Sequence, residues 1–460
     1  MFSFKKSNDQ HSGVSRFFIG VHISSVTRKL ETAIIECNSA CSGSSLTLLK
    51  SVSFDLPNEL AEFYEETLEV IRAEQDVDFV KRHSSGEFSE LEQFFPKLSS
   101  SKVGKKNKDV STLARLSLLR TMTTTIQKEA VSELVADSDV TPNKIIAITV
   151  NDPGINLISD SDGSSLRYYS LSDGAALAKH TGTTVISSLL PNEWSPKDQE
   201  CSVLSFPYWI LLSDPVKARL VIDLGETARW TYLPSSKTST SWKDMLFHEV
   251  VPCGSLLNLF TSEATKGKSF VDVGGRLSVQ GQCPNELLEF WGGFQRQTIG
   301  NHELPPRYYT PSNASVLNEI FYYNSLKSAP QKFSALDALC GSVYWIAEQI
   351  KSSVEYYEPS FKEPFDVILT GGAKQNGLLF SRLSDLFKPG EFRQLSEYGF
   401  LEDSFDAVAV AVLGALFSTG TPVPLPNNSS KSDCFWGEIS PGTQEAWTRF
   451  LTFASGKSDI

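Results

Sequence analysis

The sequence predicts an α/β protein with more than one domain. Short apolar strands at residues 145–150, 219–223 and 365–370 alternate with stretches whose apolar residues recur at helical spacing. The length, 460 residues, corresponds to about three ordinary domains or two large ones. No repeat at a fixed period of 20–50 residues replaces that reading with a solenoid. Charged residues at 21% against hydrophobic ones at 40%, with 29 Phe and 8 Trp, give a chain that can repay its ordering entropy, so disorder is excluded as the main state.

Residues 17–36 read as a β-hairpin, entered by Phe17-Phe-Ile-Gly20-Val and left by Thr32-Ala-Ile-Ile-Glu36. A helix over 56–73 is predicted by Leu60, Phe63, Leu68 and Ile71, and a second by Leu116, Leu119, Ile126, Ala130 and Leu134. Between them the Ser/Lys/Gly-rich residues 99–108 predict an exposed loop. The strand at 145–150 ends in the turn signal Asn151-Asp-Pro-Gly154, followed by a helix at 174–180 and a strand at 184–187. The strand at 219–223 runs into a second one through 224–230. A long helix over 335–354, the strand at 365–370, a helix opened by Gly371-Gly-Ala-Lys-Gln-Asn-Gly377 and an Ala/Val-rich helix over 403–416 complete the reading.

The net charge of −12 argues against nucleic acid or an anionic membrane as the principal partner, since both demand a basic face. The longest apolar run, 204–212, falls well short of the ~20 residues that span a bilayer. No secretory leader is expected from the first ten residues, which carry Lys5-Lys6 but no apolar segment behind them. Seven scattered cysteines, an odd number, fit reduced thiols in the cytoplasm better than a disulfide framework or a zinc site.

Two turns could carry chemistry. Asp223-Leu-Gly225-Glu-Thr227 has the form Asp-x-Gly-x-Thr after an apolar strand. There a glycine lets backbone approach a phosphate, a threonine hydroxyl donates to it, and the aspartate can hold a Mg²⁺-bound water. Taken alone, it is also an ordinary hairpin turn. Gly371-Gly372 stands between a strand and a helix, where a nucleotide can lie against bare backbone, or where a tight turn needs positive φ. In this order, about 145 residues apart, the pair resembles the nucleotide-contacting loops of the actin, sugar kinase and heat-shock ATPase superfamily. That resemblance implies two ribonuclease H-like lobes with ATP in the cleft between them.

Longer segments resemble the anhydro-N-acetylmuramic acid kinase family over nearly the whole chain. They are Phe18-Ile-Gly-Val with Glu31-Thr-Ala-Ile-Ile-Glu36, the stretch Ser172-Asp-Gly-Ala to Thr184-Val185, Leu369-Thr-Gly-Gly-Ala-Lys-Gln-Asn-Gly377, and Asp406-Ala-Val-Ala-Val-Ala-Val412. The tail, with Pro422-Val-Pro, Gly437 and Ser440-Pro-Gly442, looks closest to the levoglucosan kinase branch. The resemblance implies phosphorylation of a 1,6-anhydrosugar by Mg·ATP with hydrolytic opening of the anhydro bond. It assigns nucleotide contacts to Asp223, Gly225, Thr227, Gly371, Gly372 and Asn376, and Mg²⁺ to Asp223.

The functional motifs of the family are altered. Its Gly-x-x-Ser-Gly-Thr-Ser-x-Asp-Gly phosphate loop reads Gly20-Val-His-Ile-Ser-Ser-Val-Thr-Arg-Lys29 here, so Ile23 and Val26 stand where amides should face phosphate. The family's base lies in Ser-Asp-Phe-Arg, and this chain has Ser187-Ser188-Leu189-Leu190, which puts Ser188 at the base position. A hydroxyl cannot replace a carboxylate there at neutral pH, and a positioned base is worth about 10²–10⁴ in rate. The family's His-Gly-Gln-Thr becomes Asn151-Asp-Pro-Gly154, and its Phe-Asp-Thr-Gly-Pro-Gly-Asn becomes His248-Glu-Val-Val-Pro-Cys-Gly254. The scaffold persists in Asp173-Gly174, Thr181-Gly182, Asp272, Gly275, Gly281, Pro305-Pro306, Gly371-Gly372, Asn376 and Asp406, the last in place of glutamate.

The expected architecture is therefore two lobes, residues 1–160 completed by 405–460, and residues 161–404. The expected function is that of a cytoplasmic pseudokinase that binds at most nucleotide, does not take an anhydrosugar, and acts on an unknown protein partner. One alternative is an active kinase of divergent mechanism, with Asp223 on the metal and Glu193, Asp198, Glu200 or Glu249 in place of lost carboxylates. Another is an assembly protein without a ligand, for which Phe94-Phe95 and Tyr308-Tyr309 are candidate contact surfaces.

Overall fold

The computed structural model describes residues 2–4, 15–24, 26–40, 43–83, 111–158, 166–189, 193–194, 203–239, 244–299, 333–357, 361, 363–388, 390–421 and 437–456. Strand β1 (Phe2–Phe4) precedes a meander of β2 (Arg16–Ser24), β3 (Lys29–Ala40) and β4 (Gly43–Asp55). The expected hairpin is thus β2 and β3, with Phe18 opposite Ile35 and Gly20 opposite Ala33. After the helices Asn58–His83 and Thr112–Ala136 the chain returns as β5 (Ile145–Asn151), parallel to β2. A crossover of that length, through helices, is what a parallel neighbour requires. Strands β6 (Ile155–Ile158) and β7 (Leu166–Tyr169) then lead to the helix Gly174–Thr181, β8 (Val185–Ser187) and β9 (Glu193–Trp194).

The second half repeats this plan. Strands β10 (Ala218–Leu224), β11 (Thr227–Leu233) and β12 (Leu246–Pro252) form an antiparallel meander, and β13 (Phe365–Thr370) and β14 (Phe392–Arg393) add to it in parallel. Strand β15 (Glu438–Ser440) returns to the first sheet beside β8. The sheet orders are β1-β4-β3-β2-β5-β8-β15 and β12-β11-β10-β13-β14, while β6, β7 and β9 make a small third sheet. In both large sheets five strands follow one order, third-second-first-fourth-fifth, with three antiparallel and two parallel. The fold is a duplicated ribonuclease H-like architecture in two lobes. Strand β8 and the return of β15 draw the first sheet from both sides of residue 160, where the lobe boundary was expected.

Helices differ from expectation in two places. The run read only as too short to span a membrane forms the helix Ser205–Leu212, with Pro207 in its first turn, where a missing N–H costs nothing. The segment after Gly371 is first a tight turn, Gly372–Gln375, and only then a helix, Gly377–Leu386. The expected loop at 99–108, the aromatic pairs Phe94-Phe95 and Tyr308-Tyr309, Pro305-Pro306 and Pro422-Val-Pro lie outside the described residues.

The helix Phe405–Ser418 is buried at every position except Asp406 and Phe417. With the helix Ser205–Leu212 it joins Phe18, Ile35 and Ile146 of the first sheet to Val221, Leu233 and Ile368 of the second in one apolar cluster. Its approach to the first sheet leaves no room for side chains. A Cβ on Gly20 would stand 1.9 Å from the Ala407 carbonyl oxygen, and one on Gly414 would stand 2.0 Å from Thr149 Oγ1. Because the Gly20 clash is with backbone, it cannot be relieved by a rotamer change. Gly20→Ala should destabilise the protein by about 2–3 kcal/mol in urea denaturation, and an unchanged midpoint would show that the helix does not seat on β2.

Candidate functional site

Strands β10 and β13 pair in parallel with Asp223 opposite Thr370, so the turns that follow them leave the sheet side by side. Gly371, at φ +81°, lies against the β10–β11 turn so closely that a Cβ there would be 2.5 Å from Asp223 Oδ1 and 2.7 Å from the Gly225 nitrogen. Asp223, Gly225, Thr227, Gly371 and Gly372 are thus brought together. Asn376 has another duty. Its Oδ1 accepts from the Leu378 and Leu379 amides as a helix N-cap, and its Nδ2 donates to Asp272 Oδ2 (3.1 Å). Asp272 in turn accepts from the Leu277 and Ser278 amides, so this pair fixes the loop behind the turn.

The turn between β2 and β3 reaches into the same place from the other lobe. A Cβ on Gly254 would meet Val26 Cγ1 at 2.5 Å and the Gly225 carbonyl at 2.8 Å, while one on Gly372 would meet Thr27 Cγ2 at 2.5 Å and Val26 Cγ1 at 3.0 Å. The isopropyl group of Val26 and the methyl of Thr27 therefore fill the crevice bounded by Gly225, Gly254 and Gly372. Asn258 Nδ2 donates to the Val26 carbonyl (3.1 Å), and Arg28, itself at φ +53°, lies over the Phe270 ring at 3.7 Å. The amides at the start of the helix Gly254–Thr265 are also engaged: Cys253 N–H donates to the Glu226 carbonyl (2.7 Å) and Gly254 N–H to that of Gly225 (2.8 Å).

Charge around this crevice is short of solvent. Burial, and then the charge of Asp406, push the Asp223 carboxyl up to about 7, against the pull of Arg229. The Arg229 guanidinium stands 4.0 Å from Asp223 Oδ2 and donates through Nε to Glu249 Oε2 at 2.9 Å, on the facing strand β12. Burial also raises Glu249, with Arg229 opposing. Glu249, read from sequence as a replacement carboxylate, is thus half of an ion pair. On the first lobe Asn151 Nδ2 donates to His22 Nδ1 (3.1 Å), which leaves the ring proton on Nε2, 3.7 Å from Asp406 Oδ2. Burial pulls His22 down to about 4, so it is neutral, and burial pushes Asp406 up to about 6 against Lys374.

Ser188 follows β8 at φ +52°, a left-handed conformation that few residues other than glycine adopt. The side chain of Glu193 and residues 198 and 200 lie outside the described residues. His22, Glu31, Lys374 and Arg229 were missed by sequence reasoning. The available signal was polarity inside apolar strands: His22 interrupts Phe-Phe-Ile-Gly-Val in β2, and Glu31 stands opposite it in β3.

Paired ribonuclease H-like lobes with glycine turns meeting in the cleft define the class of actin, sugar kinases and heat-shock ATPases. Within it the chain belongs to the anhydro-N-acetylmuramic acid kinase family, whose model matches residues 75–442. An anhydro-N-acetylmuramic acid kinase from Gloeobacter violaceus is 27% identical over 258 residues, 56% of this chain and 64% of that one. One from Cyanothece is 27% identical over 276 residues, 58% of this chain and 69% of that one. The match thus spans about two thirds of these relatives' length. Among solved structures, an activator of 2-hydroxyisocaproyl-CoA dehydratase from Clostridium difficile aligns over 86% of this chain and 96% of its own, at 12% identity and a TM-score of 0.35.

The carboxyls make stability depend on pH. A carboxyl raised by folding keeps its proton in the native state after the unfolded chain has lost it, so its stabilisation is present at low pH and is lost as pH rises through the folded value. Asp223, moving from 3.8 to about 7, and Asp406, from 3.8 to about 6, both act this way. His22, lowered from 6.5 to about 4, acts oppositely, its contribution being lost as pH falls through that window. The carboxyls outnumber it. Stability to urea should fall from pH 4 to 7, and Asp223→Asn should flatten that slope and raise stability at pH 8 by about 2–4 kcal/mol. A destabilised Asp223→Asn protein at pH 8 would contradict the assignment.

Proposed function

We propose that this protein keeps the fold of an anhydrosugar kinase without its phosphoryl transfer, and acts in the cytoplasm by binding another molecule. The observation that carries this is the seating of Val26 and Thr27 among Gly225, Gly254 and Gly372. Gly372, one of the residues that the family resemblance assigns to a nucleotide, here stands against Val26 and Thr27 of the same polypeptide, and Val26 reaches the Gly254 position beside the Gly225 carbonyl. Membership of a kinase family supports a nucleotide ligand for the cleft, and Val26 and Thr27 narrow the place where its phosphates would lie. The helix N-terminal amides already have carbonyl partners, and the carboxylate assigned to the metal has a guanidinium beside it.

Two further observations support the reading. The family's base position carries Ser188, which has no carboxylate, and Glu249 is tied to Arg229.

Transfer of labelled phosphate from ATP to levoglucosan or anhydro-N-acetylmuramic acid should stay at background. Turnover near 1 s⁻¹, low in the usual enzyme range, and abolished by Asp223→Asn, would establish a divergent kinase instead. Calorimetric titration of the unaltered protein with Mg·ATP should give at most weak binding, whereas Val26→Gly should open the crevice and tighten it. Ser188→Asp alone should remain silent in the phosphate assay, because a base has nothing to assist when phosphates are not held in line with the acceptor.

A further inference from the structure

The helices Asn58–His83 and Thr112–Ala136 contribute to two apolar clusters of the first lobe. One holds Ile23 with Ile19, Val21 and Leu30 of β2 and β3, and the other holds Leu60, Leu119 and Leu171. Their fully buried members stay separate, and only half-buried Leu56 and Ile126 touch both. At this seam lies a cavity of about 410 Å³, its open mouth included, walled by Ile23, Leu56, Leu60, Leu119, Pro153 and Leu171. Ile23, Leu60, Leu119 and Leu171 are at most 5% exposed, so the wall belongs to the interior rather than to the surface.

The polar side chains that border the cavity are already engaged. Arg28 and Glu65 stand 3.8 Å apart, and the Arg28 guanidinium lies over the Phe270 ring. The Tyr64 hydroxyl donates to the Gly154 carbonyl (3.4 Å), and buried Thr123 adds one more hydroxyl to the wall. Protein interiors are close-packed, and a gap lined by hydrocarbon forfeits dispersion contacts. Water does not restore them, since a held water needs about two to four polar partners, whereas apolar cavities stay dry and admit apolar guests. The same wall selects against other ligands. A sugar would bury hydroxyls without partners, and a carboxylate or ammonium would leave water for charges that already face each other. A single benzene-sized ring occupies a cavity of about 150 Å³, so one ring with a short substituent fits within the mouth.

We propose that this cavity is a binding site for a small uncharged ring compound, apolar apart from at most one hydroxyl or carbonyl group. Ile23 and Arg28 lie at the two ends of the β2–β3 turn, so a guest here backs the turn that carries Val26 and Thr27 across the cleft. The site is separate from the glycine crevice, and the inference does not depend on whether the protein transfers phosphate.

The test uses the full chain and four probes at constant ionic strength. Benzyl alcohol, benzoate and benzylammonium share one ring and differ in charge, while levoglucosan is a ring of similar size that carries hydroxyls. Benzyl alcohol should bind saturably in calorimetry, and at about ten times its dissociation constant it should raise the melting temperature by about 1–2 °C. The two charged probes should bind weaker by about tenfold or more, and levoglucosan should not bind here. Ala61 also borders the cavity, and Ala61→Met extends an unbranched side chain into it from the helix Asn58–His83. That variant should fold, by circular dichroism, and lose affinity for benzyl alcohol by about tenfold. Leu119→Ala enlarges the cavity and should gain about tenfold for 2-naphthylmethanol; where one variant fails to fold, the other decides. Charged probes or levoglucosan binding as tightly as benzyl alcohol, no saturable binding of benzyl alcohol, or affinities unmoved in the folded variants would each overturn the proposal.

Discussion

The contact on which the rest of the structure depends is the seat of the helix Phe405–Ser418 on β2 and β5. An α-helix packed on a sheet normally stands off by the thickness of its side chains. Here Gly20 on the sheet and Gly414 on the helix remove that thickness at two points, so Ala407 and Thr149 touch what a Cβ would occupy. The Ala- and Val-rich sequence then fills the remaining space, each buried valine contributing about 1.5–3 kcal/mol. The same seating puts Asp406, in the first turn of this helix, into the cleft beside His22 and within the field of Asp223. Lobe cohesion and cleft electrostatics follow from one close approach.

Glycine has a second role across the cleft, with the opposite result. A backbone without Cβ atoms invites whatever is nearest, and the crevice of Gly225, Gly254 and Gly372 receives Val26 and Thr27. Filling it removes an apolar group from water, and the Asn258 amide satisfies the carbonyl of the intruding turn. Arg28 completes the grip by lying flat on Phe270 while standing 3.8 Å from Glu65. The β2–β3 turn thereby becomes a packing element of both lobes.

Much of the fold was legible in the sequence because its determinants are local. The apolar strands at 145–150, 219–223 and 365–370 became β5, β10 and β13, and the helical spacing through Leu116 to Leu134 became the helix Thr112–Ala136. Strand β4 was missed because four serines and a lysine interrupt the apolar residues of Gly43 to Asp55. The altered phosphate loop could be seen as bulky residues at 23 and 26. Where the Val26 side chain goes could not, because that depends on glycines far away in the chain. Asn376 was legible as a residue that the family resemblance assigns to the nucleotide, yet its role as a helix cap bonded to Asp272 needed a partner 104 residues earlier. The ion pair of Arg229 and Glu249 was hidden for the same reason, being set by the register of β11 on β12.

The return of the C-terminus to the first sheet has a consequence for synthesis. The second sheet takes all its strands from residues 218–393, whereas the first needs β15 at 438–440 and the helix Phe405–Ser418 to cover Phe18, Ile35 and Ile146. During translation, at about 5–20 residues per second, β8 leaves the ribosome tens of seconds before the segments that cover its edge and face. The lobe made first is therefore the lobe finished last. For that interval the nascent chain carries an apolar sheet with no lid, a species suited to chaperone capture and exposed to aggregation, and its yield in a cell depends on how fast residues 405–440 arrive.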